Sequence, residues 1–122
     1  MRELIREFVR VCTQTLPLEG PVYEFGSFQV PGQEGFADLR ALFTGKQYVG
    51  ADMRKGPGVD MVLDLHDIAL PAGCAGTVLV MDTLEHVAFP HRAVEEVHRI
   101  TKPGGVAYRQ SDCSGCIWRG NK

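Results

Sequence analysis

The sequence lacks both a long apolar run and a run of like charges. No apolar stretch approaches the roughly 20 residues that a membrane-spanning helix needs, and the N-terminal segment MRELIREFVR is charged and amphipathic, unlike a signal peptide. The 13 basic and 15 acidic residues are scattered, with a formal net charge of -2, so no basic surface for nucleic acid or an anionic membrane is predicted. The sequence therefore predicts a cytoplasmic protein with neither partner.

Cysteine is also scarce, with residues only at Cys12, Cys74, Cys113 and Cys116. Four cysteines are few for a disulfide-stapled chain of this length, so a reducing compartment fits better. Cys113 and Cys116 form a single Cys-x-x-Cys pair, whereas a zinc site needs four ligands and no second pair has matching spacing. We therefore expect no metal site, and we interpret the pair as an incidental part of the tail rather than as a metal or redox site.

The 122 residues, of which 44% are hydrophobic, suffice for one domain with one core. Apolar residues at helical spacing predict helices over residues 2–15, about 36–43 and 90–102, and short apolar runs predict strands in PVYEF, QYVGAD, DMVLDL, GTVLVMD and GGVAY. Strands that alternate with helices indicate a parallel α/β sheet with right-handed crossovers. We predict a domain over residues 1–108 and an irregular tail over 109–122, where no helical or strand period is present.

Acidic residues end or follow three of the first four predicted strands. Ligands of open α/β sheets bind beyond the carboxyl ends of the strands, so these positions are the candidates for a site. Asp52 ends the second predicted strand, 26 residues after Gly26, close to where such folds use a carboxylate to accept hydrogen bonds from ribose hydroxyls. The alternative is that Asp52 only begins the turn DMRKGPG.

The loop after Gly26 lacks the glycines of the phosphate-binding motifs. A dinucleotide site needs G-x-G-x-x-G, but Phe28 holds the place of the second glycine and Pro31 removes a backbone N–H donor. The sequence also contains no G-x-x-x-x-G-K-S/T motif, which excludes a P-loop. The loop therefore disfavours NAD and favours a cofactor with adenosine and no phosphate.

Five segments together carry a family resemblance. VYEFGS, YVGAD, GPGVDMVLDLHDI, VLVMDTLEHV and RITKPGG follow one another in the order and spacing of the class I S-adenosylmethionine-dependent methyltransferases, which the chain resembles over residues 20–107. The resemblance implies a Rossmann-like three-layer α/β/α fold with a mostly parallel sheet. It also implies S-adenosylmethionine as the cofactor and transfer of its methyl group to an acceptor, for which we expect a small molecule.

The same resemblance implies cofactor contacts at the strand ends. The implied residues are Glu24 and Gly26 beside the methionine part of the cofactor, Ser27 and Phe28 along its edge, Asp52 on the ribose, Met53 against the adenine, Asp64 on the adenine amino group, Leu65 on the adenine ring, and Asp82 and Thr83 facing the methionine part and the acceptor. Glu85 and His86 are weaker candidates for taking a proton from the acceptor. Alternatively, both orient their loop through hydrogen bonds.

In the family, the chain usually continues past KPGG through a helix and an antiparallel pair of strands, which complete a seven-stranded sheet. The segment RQSDCSGCIWRGNK resembles none of these family segments. We therefore expect a chain truncated after the fifth strand, without the C-terminal strands. The fifth strand would be an exposed edge that pairs with another copy, giving a homo-oligomer, or that the tail covers through Ile117 and Trp118. The rival functions are a non-catalytic module that binds partners or its own copies and, less favoured, an NAD-linked oxidoreductase.

Overall fold

The computed structural model describes residues 2–15, 18–29, 39–81, 83–111 and 114–120. Its elements, in chain order, are α1 (Arg2–Thr15), β1 (Val22–Phe25), a first 3-10 helix (Arg40–Phe43), β2 (Tyr48–Asp52), β3 (Met61–Val62), β4 (Ala75–Met81), a second 3-10 helix (Leu84–His86), α2 (Pro90–Ile100), β5 (Thr101–Ser111) and β6 (Ser114–Arg119). None of the helices among these residues has the length and apolar character needed to cross a membrane.

The strands form one six-stranded sheet in the order β3-β2-β1-β4-β5-β6. Pairing is parallel from β3 through β5, and β6 runs antiparallel to β5. The mostly parallel sheet confirms the predicted Rossmann-like fold class. From β1 the chain adds β2 and β3 on one side of the sheet, and then adds β4 on the other side of β1. The strand order therefore reverses between β1 and β4, and this is where such sheets bind a ligand.

The sheet is covered by apolar side chains on both faces. β4 is buried along its whole length, with Val78 and Val80 in the core beneath α2, and Leu79 and Met81 in the core beneath α1. This alternation follows from the two-residue period of a strand. It also explains why a nearly continuous apolar run identifies a central parallel strand.

Both long helices pack through the predicted apolar stripes. α1 has the predicted bounds and buries Ile5, Val9 and Cys12. α2 begins at the predicted Pro90, which occupies its first turn where a missing N–H costs nothing, and it ends at Ile100. The helix predicted over about 36–43 is a short 3-10 helix over Arg40–Phe43, and residues 30–38 lie outside the described part.

The prediction of an irregular tail is wrong for Ser114–Arg119. This segment pairs with β5 from Val106 to Ser111, so β5 is not the edge of the sheet. Trp118 covers the α2 side, where its ring stacks on His98 with centroids 3.8 Å apart, and Ile117 on the other face is 47% exposed. The tail therefore covers the β5 edge through backbone pairing and Trp118, whereas Ile117 does not contribute buried cover. Cys113 lies outside the described residues, so the interpretation of the cysteine pair stays a prediction.

Candidate functional site

A cavity of about 540 Å³ opens at the carboxyl ends of β1, β2 and β4. The lining residues are Phe25, Gly26, Asp52, Met53, Arg54, Leu63, Leu65, Thr83, His86 and Val87. The cavity lies at the point where the strand order reverses, and its volume falls within the range of small-molecule sites. Its wall is apolar at Phe25, Leu63 and Leu65, with polar groups at the strand ends.

The turn out of β1 depends on the absence of a side chain at Gly26. This residue has φ +85°, in the left-handed region, and a Cβ there would overlap Oγ1 of Thr83. The N–H groups of Gly26 and Ser27 both donate to the carbonyl of Ala51, at 2.8 and 3.1 Å. Gly26 therefore allows the chain to turn sharply after β1 beside β2, while Thr83, at the end of β4, packs directly against the turn.

The bulky loop after Gly26 is accommodated by glycines of another loop. A Cβ at Gly56 would overlap the Phe28 ring, and one at Gly58 would press on the carbonyl of Ser27. The Phe28 ring also lies under the guanidinium of Arg54, 4.2 Å from the centroid, and the N–H of Gln29 donates to the carbonyl of Pro57 at 2.8 Å. The missing glycines of the first loop are thus replaced by glycines in the loop against which it packs.

Asp52 is the acidic group of the cavity. Its side chain is only 10% exposed, and its two oxygens are held by the protein. Oδ2 accepts from the N–H of Phe28 at 3.2 Å, and Oδ1 accepts from the N–H of Arg54 at 3.0 Å and, more weakly, from Nε of Arg54 at 3.4 Å. A carboxylate can accept about four hydrogen bonds. Asp52 therefore keeps acceptor capacity while its orientation is fixed.

Asp64 and Glu24 do not line the cavity. Asp64 is 49% exposed, and its Oδ1 accepts from the backbone N–H of His66 at 2.9 Å and from Nδ1 of the same residue at 3.0 Å. These hydrogen bonds, the backbone one first, lower the pKa of Asp64. Glu24 is buried in β1, and its Oε1 accepts from the Tyr48 hydroxyl at 2.6 Å. Along β1 Glu24 alternates with Phe25, so its side chain leaves the strand on the face opposite to the one that supplies the cavity.

The β4 end contributes Thr83 and His86. Thr83 Oγ1 donates to the carbonyl of Met81 at 2.9 Å, and His86 is an exposed residue of the second 3-10 helix. Asp82 lies outside the described residues, and the side chain of Glu85 is not part of the description. The second 3-10 helix therefore places one of the two candidate proton acceptors at the cavity.

The structure brings together part of the predicted set. Gly26, Asp52, Met53, Leu65, Thr83 and the candidate His86 line the cavity, whereas Glu24, Ser27, Phe28 and Asp64 do not. Ser27 is buried against Gly50, and its Oγ has no hydrogen-bond partner among the described residues.

Four lining residues were not predicted: Phe25, Arg54, Leu63 and Val87. The two-residue alternation of Leu63 with Leu65 in DMVLDL, and the position of Phe25 as the last residue of β1, were signals in the sequence that point to the same cavity. We find no comparable signal for Arg54 or Val87.

The family described as a methyltransferase domain matches residues 37–108, which is more than half of the chain. No curated protein matches the chain.

Solved structures with the same fold include three of particular interest. PH0226 from Pyrococcus horikoshii OT3 has a TM-score of 0.66 and 18% identity, over 88% of this chain and 56% of that protein. The trans-methyltransferase CalH in complex with SAH has a TM-score of 0.58 and 18% identity, over 86% of this chain and 35% of CalH. The [4+2]-cyclase SpnF has a TM-score of 0.64 and 17% identity, over 87% of this chain and 44% of SpnF.

These three likenesses concern the fold alone, and the chain spans about half, or less, of the length of each protein. The presence of a cyclase among them illustrates that one fold supports several chemistries. The function therefore has to be argued from the cavity.

Proposed function

The chain belongs to the methyltransferase domain family, as its resemblance to the class I S-adenosylmethionine-dependent methyltransferases predicts, and we propose that it binds S-adenosylmethionine in the cavity and transfers the methyl group to a small-molecule acceptor. The observation that carries the proposal is the carboxylate of Asp52, which lines the cavity beside the Gly26 turn. In the register of the sheet, Phe25 pairs with Ala51, so the residues that follow them lie side by side. A fixed acidic acceptor and a close backbone turn therefore stand at neighbouring strand ends.

Asp52 fits a ribose diol. Each of its oxygens already accepts a backbone N–H, and a carboxylate has further lone pairs for two hydroxyl donors. Because the protein donors fix the plane of the carboxylate, the diol would meet an oriented pair of acceptors rather than a mobile side chain. Asp52 would therefore hold the ribose.

The apolar wall fits a flat base. Leu63 and Leu65 are buried residues on the β3 side of the cavity, and Met53 is an exposed residue beside Asp52. Apolar side chains on the two sides of a slot stabilise an aromatic ring by removing its faces from water. Leu63, Leu65 and Met53 would hold the adenine, and the contact of Asp64 with the adenine amino group stays a prediction, since Oδ1 of Asp64 is hydrogen-bonded to His66.

The reaction asks little acid or base chemistry of the protein. The bound cofactor supplies a methyl group on a positively charged sulfur, which is already a good leaving group. What the chain must provide is alignment of the acceptor with that methyl group. Thr83 and His86 line the β4 side of the cavity, where they would orient the acceptor, and the imidazole of His86 would take its proton. Asp82 and Glu85 stay weaker proposals for the same region.

The CalH complex with SAH, which has the same fold, supports this choice of cofactor. Isothermal titration with S-adenosylhomocysteine tests the proposal. We expect the wild-type chain to bind, Asp52→Asn to weaken binding at least tenfold, and Glu95→Gln, which changes an exposed carboxylate on α2, to bind as the wild type does. No binding by the wild type, or equal binding by all three, would refute it.

A second candidate function is a non-catalytic module that associates with its own copies. Apolar residues at both edges of the sheet favour it: Met61 and Val62 on β3, and Ile117 on β6, are exposed. The edge for such pairing would be β3 or β6, since β5 is covered. Sedimentation that gives a concentration-dependent assembly, together with no binding of S-adenosylhomocysteine, would favour this function over methyl transfer. The cytoplasmic location stays a prediction.

A further inference from the structure

The N-terminus of α2 lacks a cap from its own sequence. Phe89 is the N-cap residue and has no side-chain acceptor, and no side-chain cap hydrogen bond is made there. In a capping box, a glutamate or glutamine in the first turn accepts the N–H of the N-cap residue. The corresponding residue here is Arg92, which can only donate. The N–H of Phe89 therefore has no side-chain acceptor within its own helix, and its partner must be another segment of the chain or water.

His66 supplies that acceptor from the loop after β3. Its Nε2 lies 3.0 Å from the backbone N of Phe89, and its Nδ1 lies 3.0 Å from Oδ1 of Asp64. A backbone N–H only donates, so Nε2 must carry no proton and Nδ1 must carry one, which it donates to Asp64. The carboxylate of Asp64 thus fixes the tautomer that caps α2. We use the name His66 bridge for the pair of hydrogen bonds Asp64–His66–Phe89.

Other contacts hold the same loop against α2. Nε of Arg92 donates to the carbonyl of His66 at 2.9 Å. Arg92 cannot accept from the N–H of Phe89, but it binds the loop that contains the acceptor. Further along, Oε2 of Glu96 accepts from the N–H of Ile68 at 3.0 Å. The rings of His66 and Phe89 also meet edge to face, with centroids 5.8 Å apart. The His66 bridge is therefore the N-terminal end of a continuous seam between this loop and α2.

The His66 bridge joins the two walls of the cavity. The neighbour of His66 on one side is Leu65, which lines the cavity, and Phe89 follows shortly after His86 and Val87, which line it as well. Leu84 packs in the core, but residues 88 and 89, which link Val87 to α2, are exposed, Phe89 to 68%. A hydrogen bond that fixes the Phe89 backbone therefore also limits how far Val87 can move from Leu65.

We propose that His66 is a positioning residue of the cofactor cavity. Through its hydrogen bond with the backbone N–H of Phe89, His66 holds the wall formed by His86 and Val87 at a fixed distance from the wall formed by Leu65. The role in binding rests on the proposed function. His66 itself does not line the cavity, so its effect on a ligand is indirect.

Two substitutions separate the halves of the bridge. In His66→Gln, the amide oxygen can take the place of Nε2 and accept from Phe89. In His66→Asn, the shorter amide can take the place of Nδ1 and donate to Asp64 but cannot reach Phe89. Loss of one hydrogen bond corresponds to roughly fivefold in an equilibrium. We expect His66→Asn to weaken the binding of S-adenosylhomocysteine about fivefold and His66→Gln to keep it within about twofold.

Amide hydrogen exchange and the nitrogen spectrum of the imidazole provide independent readouts. The Phe89 amide should exchange faster in His66→Asn than in the wild type and in His66→Gln, and the wild-type His66 should carry its proton on Nδ1. A proton on Nε2, or equal affinity and equal Phe89 exchange in both variants, would overturn the inference. If the wild type binds no S-adenosylhomocysteine, the proposed function fails, and the exchange of the Phe89 amide still decides whether the bridge exists.

Discussion

Replacing Gly26 by alanine tests the turn at the base of the cavity, and Gly45 provides a matched control. Both glycines have nearly the same left-handed backbone, with φ +85° and +81°. A Cβ at Gly45 would have nothing within 4 Å, whereas one at Gly26 would overlap Oγ1 of Thr83. The two substitutions therefore share the cost of the backbone conformation and differ in the clash.

The expected magnitudes follow from these two costs. An alanine in the left-handed region costs about 1 kcal/mol, and forcing extra volume into a packed position costs roughly 2 kcal/mol. Gly45→Ala should lower the free energy of unfolding by about 1 kcal/mol, and Gly26→Ala by about 3 kcal/mol. Because domains of this kind are stable by only about 5–15 kcal/mol, the larger loss is easily measured.

Urea unfolding followed by circular dichroism provides the free energies, with unchanged m-values as the check that both variants unfold in the same way. In the Thr83→Ala background the additional cost at Gly26 should fall by more than half, since the overlapping oxygen is gone. Equal destabilisation by the two glycine substitutions, or no relief in the Thr83→Ala background, would refute the reasoning.

Three further predictions concern β6, acid stability and the loop that follows β1. Trp118→Ala should lower the free energy of unfolding by about 2 kcal/mol because the half-buried ring packs on α2. Ile117→Ala on the exposed face should change it by less than about 0.5 kcal/mol. Urea unfolding distinguishes these outcomes from an irregular tail, for which both changes would be small. A backbone N–H and an arginine side chain lower the pKa of Asp60, so the stability that it contributes is present above the unfolded-state pKa and is lost as the pH falls through the folded-state pKa. Asp60→Asn should therefore unfold with less pH dependence below about pH 4 than the wild type does in acid titrations, and an unchanged slope would contradict this. Phe28→Leu and Arg54→Ala should show a coupling of about 0.5–1 kcal/mol in a double-mutant cycle, and additive effects would mean that the stack contributes nothing.

The sheet could be predicted from the sequence where one short segment contains all the information. β4 is apolar throughout because both of its faces are buried. The helical spacing of buried residues such as Val9 and Val97 predicts α1 and α2. The positions of Gly26 and Asp52 at strand ends then indicate where the cavity lies from the sequence alone.

Features that depend on a distant partner could not be read in this way. β6 has no strong period of its own and is a strand because it pairs with β5. The accommodation of Phe28 depends on Gly56 and Gly58 in a different loop. The orientation of the Asp64 side chain depends on its hydrogen bond with His66, which also accepts the N–H of Phe89 at the start of α2.

Glu24 is a different case, because strand alternation and the family resemblance imply different surroundings for this one residue. The resemblance implies that Glu24 contacts the methionine part of the cofactor. The two-residue period of β1 already places Glu24 and Val22 on the same face, and Val22 belongs to the core beneath α1. The contact of Glu24 with the cofactor therefore stays a prediction.

A titration of the nitrogen-15-labelled chain with S-adenosylhomocysteine tests whether the cavity at the carboxyl ends of β1, β2 and β4 holds S-adenosylmethionine. The amide resonances follow the binding residue by residue. Binding in the cavity should give saturable shifts at Gly26, Met53, Leu65 and Thr83 and leave Gly45, at the opposite end of the sheet, unchanged. Absence of shifts, or shifts centred on Gly45 rather than on the cavity, would contradict it.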